Sequence, residues 1–225
     1  MADAAPAPCI YVLAGTNGAG KSSLAGAMFL RAGVEFFNPD QATRLILARN
    51  PGAGEAEANS AAWRQGKRLL ERAIAERLTF AFETTLGGKT MTDLLEQALS
   101  AGLEVRVWYV GLASPELHVK RVRARVARGG HDIPEARVRE RYDSSRLNLV
   151  RLLPALTELR VYDNTAEADP HGGVAPEPVL LLHMVRGKVV RSGVLAQTPE
   201  WAKPILAVAM HATASGTRAA PPGGL

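Results

Sequence analysis

The sequence contains a single cysteine, Cys9. One cysteine cannot form an intramolecular disulfide bond, and it cannot supply the set of thiolates that a structural zinc site needs. The first nine residues, MADAAPAPC, also lack a basic segment followed by an apolar core, so we expect no secretory signal peptide. These absences together predict a cytoplasmic protein.

Long hydrophobic runs are absent as well. The longest aliphatic run covers residues 179–182, which is the length of a strand, whereas a membrane-spanning helix needs about 20 consecutive apolar residues. We therefore expect no contact with a membrane. The hydrophobic share of 47% and the charged share of 22% are ordinary for a folded globular protein, and they argue against a collagen-like or wholly disordered chain.

The charge balance is less specific. The chain carries 27 lysines and arginines against 22 aspartates and glutamates, a net charge of +5, and most of the basic residues are arginines. The planar guanidinium of arginine suits phosphate groups, so a nucleotide or a nucleic acid would fit this excess as a partner. A GC-rich coding sequence would give the same bias, so charge alone does not choose among these explanations.

The length of 225 residues suits one α/β domain with short extensions. We expect a single domain over residues 1–210, of which residues 1–9 form a flexible leader, and a disordered tail over residues 211–225. Apolar runs predict strands at 10–14, 34–37, 79–82, 103–110 and 159–162, with helical periodicity between them. This alternation favours a mainly parallel sheet covered by helices. A small β-hairpin is predicted at 178–191, appended to that core.

The strongest motif follows the first predicted strand. Residues 15–22 match the phosphate-binding pattern G-x-x-x-x-G-K-[ST] at every specified position. Its glycines let backbone N–H groups surround nucleotide phosphates, and the next helix presents its positive N-terminal end to them. In this pattern Lys21 reaches the β- and γ-phosphates of ATP, and Ser22 supplies a hydroxyl to Mg²⁺. The predicted nucleotide-binding residues are Gly15, Thr16, Asn17, Gly18, Ala19, Gly20, Lys21, Ser22 and Ser23.

The strand before this motif and the helical pattern after it predict a P-loop NTPase fold, a three-layer α/β fold. A flexible glycine loop that matches the pattern by chance would lack this context. The motif alone does not separate a kinase from an ATPase, a GTPase or a nucleotide-dependent switch. The predicted strand at 103–110 ends without the aspartate of a Walker B magnesium site, which argues against a GTPase or a motor ATPase.

Acidic residues follow two of the predicted strands. Asp40 comes just after the second strand, and Glu83 and Thr84 follow the third. Ligands of parallel α/β sheets bind at the carboxyl edge, where these residues lie. Asp40 could accept the proton of an acceptor hydroxyl as a general base, or it could be the N-cap of the helix that starts at Gln41. Glu83 and Thr84 could bind a substrate hydroxyl, although Glu83 could also be an ordinary loop acid.

An arginine-rich segment flanks a glycine pair at 129–130. Arg121, Arg125 and Arg128 share one helix face before the pair, and further arginines follow it. Such a segment can close over a nucleotide as a helical lid and compensate charge on the transferred phosphoryl group. For Arg125 and Arg141 we favour the functional role over a solvated basic face. For Arg123, Arg137 and Arg139 we favour the solvated basic face.

Two further polar residues stay without a firm role. His131 follows the glycine pair; it could orient the lid or contact a substrate, but a lone loop histidine is more often structural, and we assign it no chemistry. Asn164 follows the fifth predicted strand, where it could line the pocket for the nucleotide base or belong to a plain turn.

Taken together, these motifs resemble the zeta toxin family of P-loop kinases. The resembling segments are AGTNGAGKSS, FFNPDQATR, FETTLGG, RVRARVARGGHDIPEARVRERY with SSRLNL after it, and VYDNT, which span residues 10–165. The NPD and GGHDIP segments are similar to those of the chromosomal zeta-like proteins.

This resemblance implies a function. The best-known members of the family are UDP-N-acetylglucosamine kinases, which phosphorylate the 3′-hydroxyl of the amino sugar. By resemblance, Lys21 and Ser22 would hold ATP and Mg²⁺, Asp40 would be the catalytic base, and Glu83 would help to hold the acceptor. Arg125 and Arg141 would stabilise the transferred phosphate. An antitoxin protein is a partner that the resemblance also suggests.

Three functions are compatible with the sequence. The leading one is an ATP-dependent phosphotransferase that acts on a hydroxyl of a small acceptor, with a sugar nucleotide such as UDP-N-acetylglucosamine as the first candidate. The second is a nucleotide-dependent module that binds a nucleic acid or a protein through its basic segment. Few aromatic residues accompany the arginines, which argues against nucleic acid. The third is a kinase for another small molecule, such as a sugar acid or an antibiotic.

Overall fold

Seven strands form one sheet at the centre of the computed structural model, which describes residues 7–22, 24, 29, 36–167 and 177–217. The strands are β1 Cys9–Ala14, β2 Phe36–Phe37, β3 Phe80–Thr84, β4 Glu104–Gly111, β5 Glu158–Asp163, β6 Val179–Val185 and β7 Lys188–Ser192. The helices whose two ends lie within the described residues are α1 Pro39–Arg49, α2 Glu55–Ala75, α3 Lys89–Ser100, α4 Pro115–Val126, α5 Glu135–Leu152 and α6 Lys203–Thr217. Short 3₁₀ helices lie at Leu153–Ala155 and Leu195–Gln197.

The strand order in the sheet is β2-β3-β1-β4-β5-β6-β7. The first five strands in this order pair in parallel, and β1 lies between β3 and β4. Because parallel neighbours need crossover connections, helices join them. The mainly parallel α/β sheet that the sequence predicts is confirmed, and its carboxyl edge gathers the ends of β1, β2 and β3.

The predicted C-terminal hairpin is present as β6 and β7, but it is not a separate appendage. β6 pairs antiparallel with β5, so the hairpin continues the main sheet. Its turn residues Arg186 and Gly187 both have positive φ, as the tight turn of a twisted hairpin requires. The sequence shows the two strands and their turn, but it does not show which strand of the core they would join.

The main core lies on one side of the sheet. Alternate residues of the strands are buried against apolar stripes of α2, α3, α5 and α6. In α3 the buried residues Leu94, Leu95 and Ala98 fall on one face, as the predicted helical periodicity requires. The largest fully buried side chain is Tyr109 of β4, whose hydroxyl lies 3.0 Å from Ser145 Oγ and is thereby satisfied.

The ends of the chain differ from the sequence predictions. β1 begins at Cys9, inside the leader predicted at 1–9, because Cys9 is buried and its strand register places it beside Glu104. α6 continues to Thr217, past residue 211, where the sequence predicts a disordered tail; alanine is frequent in this segment and favours helix. Residues 1–6 and 218–225 lie outside the described residues, as does most of the predicted helix at 22–30. Within the part of the chain that the structure describes, no helix is long and apolar enough to cross a membrane.

Trp201 fixes the C-terminal segment to the sheet. Its ring covers Gly111 at the end of β4, and its Nε1 donates to Asp163 Oδ1 at 3.0 Å. A Cβ atom on Gly111 would lie 2.3 Å from Cη2 of the Trp201 ring. The absence of a side chain at position 111 is therefore what lets the indole ring approach the sheet this closely.

Substitution Gly111→Ala should destabilise the protein, because the new methyl group would displace the buried Trp201 ring. We expect the free energy of unfolding to fall by about 1–3 kcal/mol, the usual cost of overpacking a core. Urea unfolding followed by tryptophan fluorescence measures this loss. Gly52→Ala is the matched control, since a Cβ atom at position 52 meets no atom within 4 Å. Equal stability of the two variants would contradict the packing argument.

Candidate functional site

The predicted phosphate-binding loop packs its backbone directly against neighbouring elements. Gly15 and Gly18 have φ values of +142° and +83°, in the region that favours glycine. A Cβ atom on Gly15 would lie 2.2 Å from Val110 O, and one on Gly18 would lie 2.6 Å from His118 O. The two glycines are thus required by backbone contact with β4 and α4.

Lys21 lies buried beneath this loop. Its Nζ donates to Gly15 O at 2.6 Å and lies 3.6 Å from Glu83 Oε1 at the end of β3. The other carboxylate oxygen of Glu83 accepts a hydrogen bond from Asn38 Nδ2 at 3.0 Å. The buried lysine is therefore compensated by a nearly buried carboxylate, as a charge in a protein interior must be. Lys21 and Glu83, both predicted as site residues, are in contact.

Asp40 lies in the first turn of α1, and it does not cap the helix. The N-cap is Asn38, whose Oδ1 accepts from Gln41 N at 3.0 Å. The alternative interpretation of Asp40 as an N-cap is therefore wrong. Its Oδ2 instead accepts a hydrogen bond from Nη1 of Arg125 at 3.3 Å. The structure thus brings the predicted base and one predicted lid arginine together across 85 residues of sequence.

Arg141, the other lid arginine, contacts the phosphate-binding loop. Its Nη1 donates to Asn17 Oδ1 at 2.8 Å, and its backbone oxygen accepts from Thr16 Oγ1 at 3.1 Å. Burial lowers the pKa of the Arg141 guanidinium from its ordinary value, and the charge of nearby Arg137 acts in the same direction. An arginine nevertheless stays charged in a protein, so this side chain brings a positive charge to the loop.

Three further arginines of the lid segment pair with acids on the surface. Arg123 bonds Glu135 at 2.8 Å, and Arg137 bonds Glu140 at 2.9 Å. Arg139 bonds Glu116 at 2.6 Å. These three side chains are the ones for which the sequence favours a solvated basic face, and the ion pairs leave them with little uncompensated charge.

The other predicted residues fall near the same loop. Asn164 Nδ2 donates to Ala19 O at 2.8 Å, so its side chain supports the loop backbone. Thr84 lines the cleft, with Oγ1 accepting from Leu86 N at 3.0 Å. Ser22 is exposed on the cleft wall. Ser23 lies outside the described residues.

His118 also supports the loop, a role that no motif in the sequence predicts. This α4 residue is 1% exposed, and its Nδ1 donates to Asn17 O at 2.8 Å. Burial lowers the pKa of His118 to about 4, so the imidazole is neutral at neutral pH. Its only signal in the sequence is its place beside Val119 in an apolar helical stripe, which shows burial but not the partner.

One cleft of about 1300 Å³ lies at the carboxyl edge of the sheet. Lys21, Asp40, Glu83, Arg125 and Arg141 all contribute to its wall. The wall also carries an aromatic ring, Trp63 of α2, which is 45% exposed.

The cleft offers the donor types that Mg²⁺ prefers, namely the Ser22 hydroxyl and the carboxylates of Asp40 and Glu83. Among the described residues no group of three or more histidine, cysteine or acidic side chains is placed to hold a metal ion. A divalent cation would therefore fit here only with most of its ligands supplied by nucleotide phosphates and water, which is the usual arrangement for Mg²⁺.

Comparison with known proteins gives a family match. The sequence model of the zeta toxin family matches residues 2–169. A protein of Haemophilus influenzae described as uncharacterized is 33% identical over 129 residues, which cover 57% of this chain and 88% of that protein.

Solved structures show the same fold. The crystal structure of AvrRxo1-ORF1:-ORF2 with ATP matches with a TM-score of 0.61 and 17% identity, over 91% of this chain and 64% of that chain. The PezAT chromosomal toxin–antitoxin system of Streptococcus pneumoniae matches with a TM-score of 0.54 and 14% identity, over 72% of this chain and 69% of that chain. This chain thus spans less than two thirds of the first of these proteins. The predicted P-loop α/β fold is confirmed.

Acidification should destabilise the protein through His118. Its pKa is lowered from 6.5 to about 4 on folding, so between these pH values the unfolded chain binds a proton that the folded protein does not. The stabilisation is complete above the unfolded value and is lost as the pH falls towards 4. We expect this group to remove roughly 2–3 kcal/mol from the free energy of unfolding between about pH 7 and pH 4.5.

Urea unfolding at these two pH values, in the wild type and in His118→Gln, measures the effect. The glutamine variant has a lower stability at neutral pH but should lose less of it on acidification. An equal loss in both proteins would show that His118 does not carry the proton linkage.

Proposed function

The chain belongs to the zeta toxin family, and we propose that it is a phosphotransferase that moves the γ-phosphate of ATP to a hydroxyl group of a small acceptor. The observation that carries the proposal is the convergence of Lys21, Glu83, Asp40, Arg125 and Arg141 on one cleft. A P-loop lysine, a carboxylate within reach of an acceptor and two arginines are the groups that phosphoryl transfer uses.

In this proposal the loop backbone and Lys21 bind the phosphates of ATP. Phosphate oxygens would replace Gly15 O as the acceptor for Lys21 Nζ, which already points along the loop. Asn164 contributes indirectly, since its side chain holds Ala19 O. Ser23 is also proposed to bind the nucleotide, on the sequence motif alone. Ser22 would hold Mg²⁺, which offsets phosphate charge when it is bound.

In the transfer step, Asp40 is the proposed general base. The acceptor oxygen attacks the γ-phosphorus, its proton passes to the Asp40 carboxylate, and the bond between that phosphorus and the bridging oxygen of ADP breaks. Arg125 and Arg141 stabilise the negative charge that spreads over the transferred group. Glu83 and Thr84 would orient the acceptor at the end of β3.

The acceptor that we propose first is a sugar nucleotide, such as UDP-N-acetylglucosamine. Trp63 supports a ring-bearing acceptor, because its half-exposed indole ring lies in the cleft wall, and aromatic side chains beside a few polar groups are typical of the lining of ligand sites. Indole faces stack well on the flat faces of sugars and bases. The cleft volume of about 1300 Å³ accommodates ATP and such an acceptor together.

A protein inhibitor is a further part of the proposal. PezAT is a toxin–antitoxin system, and AvrRxo1-ORF1 was crystallised together with ORF2. We propose by analogy that an antitoxin protein binds this chain, in the cytoplasm where ATP is available. The ion pairs of Arg123, Arg137 and Arg139 argue against the basic segment as a nucleic-acid surface.

The function is tested by incubating the protein with Mg²⁺-ATP and a panel of sugar nucleotides, sugars, sugar acids and nucleosides, with phosphorylated products detected by mass spectrometry. In Asp40→Asn, turnover should fall by about 10²- to 10⁴-fold, the usual contribution of a general base, while the affinity for ATP stays close to that of the wild type. Asp93→Asn is the matched control, because Asp93 pairs with Lys89 on the surface of α3. Unchanged turnover in Asp40→Asn would exclude the assigned role.

Trp63→Ala should weaken binding of the acceptor and leave ATP unaffected. Loss of one stacking face should raise the KM for the acceptor by roughly tenfold, with little change in kcat. Trp63→Phe retains a ring and should recover most of the affinity. Steady-state kinetics with each substrate varied in turn separates the two KM values, and a rise in the KM for ATP alone would place Trp63 on the nucleotide side instead.

A further inference from the structure

The lid arginine Arg125 is held by contacts on two sides. Its Nη1 donates to Asp40 Oδ2 at 3.3 Å, and its Nη2 donates to the backbone oxygen of His131 at 2.8 Å. Its own backbone oxygen accepts from Gly130 N at 3.0 Å. The third guanidinium nitrogen, Nε, is buried and has no hydrogen-bond partner among the described residues. The guanidinium therefore depends on its two Nη bonds for its orientation.

The side chain of His131 is anchored on α2. Its Nδ1 hydrogen bonds to the carboxylate of Glu55, and its Nε2 lies 3.2 Å from Asn59 Nδ2. Asn59 and Glu55 are one helical turn apart, so both face the same loop. The loop after α4 is thus attached to α2 by one imidazole ring.

The other polar atoms of this cluster are also paired. Asn59 Oδ1 lies 3.0 Å from the Thr43 hydroxyl. Nδ1 of His131 carries a proton and donates it to the Glu55 carboxylate, which can only accept. Thr43 also lies 3.0 Å from Pro39 O, next to Asp40.

These contacts form a closed ring of hydrogen bonds. Asp40 bonds Arg125, and Arg125 bonds the backbone oxygen of His131. The imidazole ring of His131 contacts Asn59, and Asn59 contacts Thr43. Thr43 then bonds the backbone oxygen of Pro39 in the first turn of α1. The ring fixes the distance between the lid and the helix that carries Asp40. We name Glu55, Asn59 and His131 the His131 clasp.

We propose that His131 is a positioning residue that acts through Arg125: the His131 clasp fixes the peptide oxygen that orients the Arg125 guanidinium beside Asp40. This inference rests on the proposed function, in which Arg125 stabilises the transferred phosphoryl group. A long side chain loses much conformational freedom when it is ordered, and pre-ordering removes that cost from the transfer step. His131 itself contacts no reacting atom in this role.

A double-mutant cycle tests the proposal. His131→Ala should lower kcat by about 10- to 100-fold, as expected for a displaced catalytic group, and should change the KM for ATP and for the acceptor little. In an Arg125→Ala background, the further change His131→Ala should alter kcat by less than about twofold, because the two residues act as one unit. His131→Asn keeps a donor near Glu55 and should recover part of the activity.

The matched control is His183→Ala. His183 lies on β6, outside the cleft, and also pairs with a glutamate, Glu158, at 3.0 Å. It should leave kcat unchanged. Multiplicative effects of His131→Ala and Arg125→Ala on kcat would overturn the proposal. So would a rise in the KM for the acceptor that persists without Arg125, since it would show direct contact of His131 with the acceptor.

A second measurement does not depend on turnover. Amide hydrogen exchange over residues 127–133 should become several-fold faster in His131→Ala, and equally in Asn59→Ala, but not in His183→Ala. Asn59→Ala also serves if His131→Ala does not fold. The wild-type protein could lack phosphotransfer activity while exchange is still faster in His131→Ala than in the wild type. That result would contradict the proposed function and support the clasp. Unchanged exchange and unchanged kcat in an active protein would contradict the clasp alone.

Discussion

The candidate site depends on one constraint: the backbone of the phosphate-binding loop lies in contact with the end of β4 and the first turns of α4. Gly15 and Gly18 make this approach possible, since any side chain there would collide with Val110 O or His118 O. The loop is then held from outside by side chains, with His118 bound to Asn17 O and Asn164 bound to Ala19 O. A loop so held keeps its N–H groups in a fixed arrangement, which is what anion binding requires.

Two cations of the cleft are compensated by carboxylates. Lys21 lies beside Glu83, and Arg125 lies beside Asp40. Lys21 is the buried one of the two, and its charge would cost several kcal/mol in folding if it were left unpaired. The same two ion pairs contain the acids of the proposed chemistry. Glu83 would orient the acceptor, and Asp40 would accept its proton.

Local features of the site could be predicted from the sequence, and long-range partners could not. The loop motif, the acid after β2 and the arginines on one helix face each follow from spacing within a short segment. The contact between Asp40 and Arg125, the support of the loop by His118 and the attachment of His131 to α2 each join distant segments, and no periodicity shows them. For the same reason the C-terminal hairpin was predictable as a hairpin, but its pairing with β5 was not.

The burial of Trp201 shows how far along the chain the folded core extends. The family match ends at residue 169, yet Trp201, Ile205, Leu206 and Ala209 are buried in the same core as β1 and β4. A fragment cut at the end of the family match would lack the Trp201 ring that covers Gly111, and it would lose two strands of the sheet. The family match therefore covers the proposed catalytic residues, while the apolar core extends well beyond it.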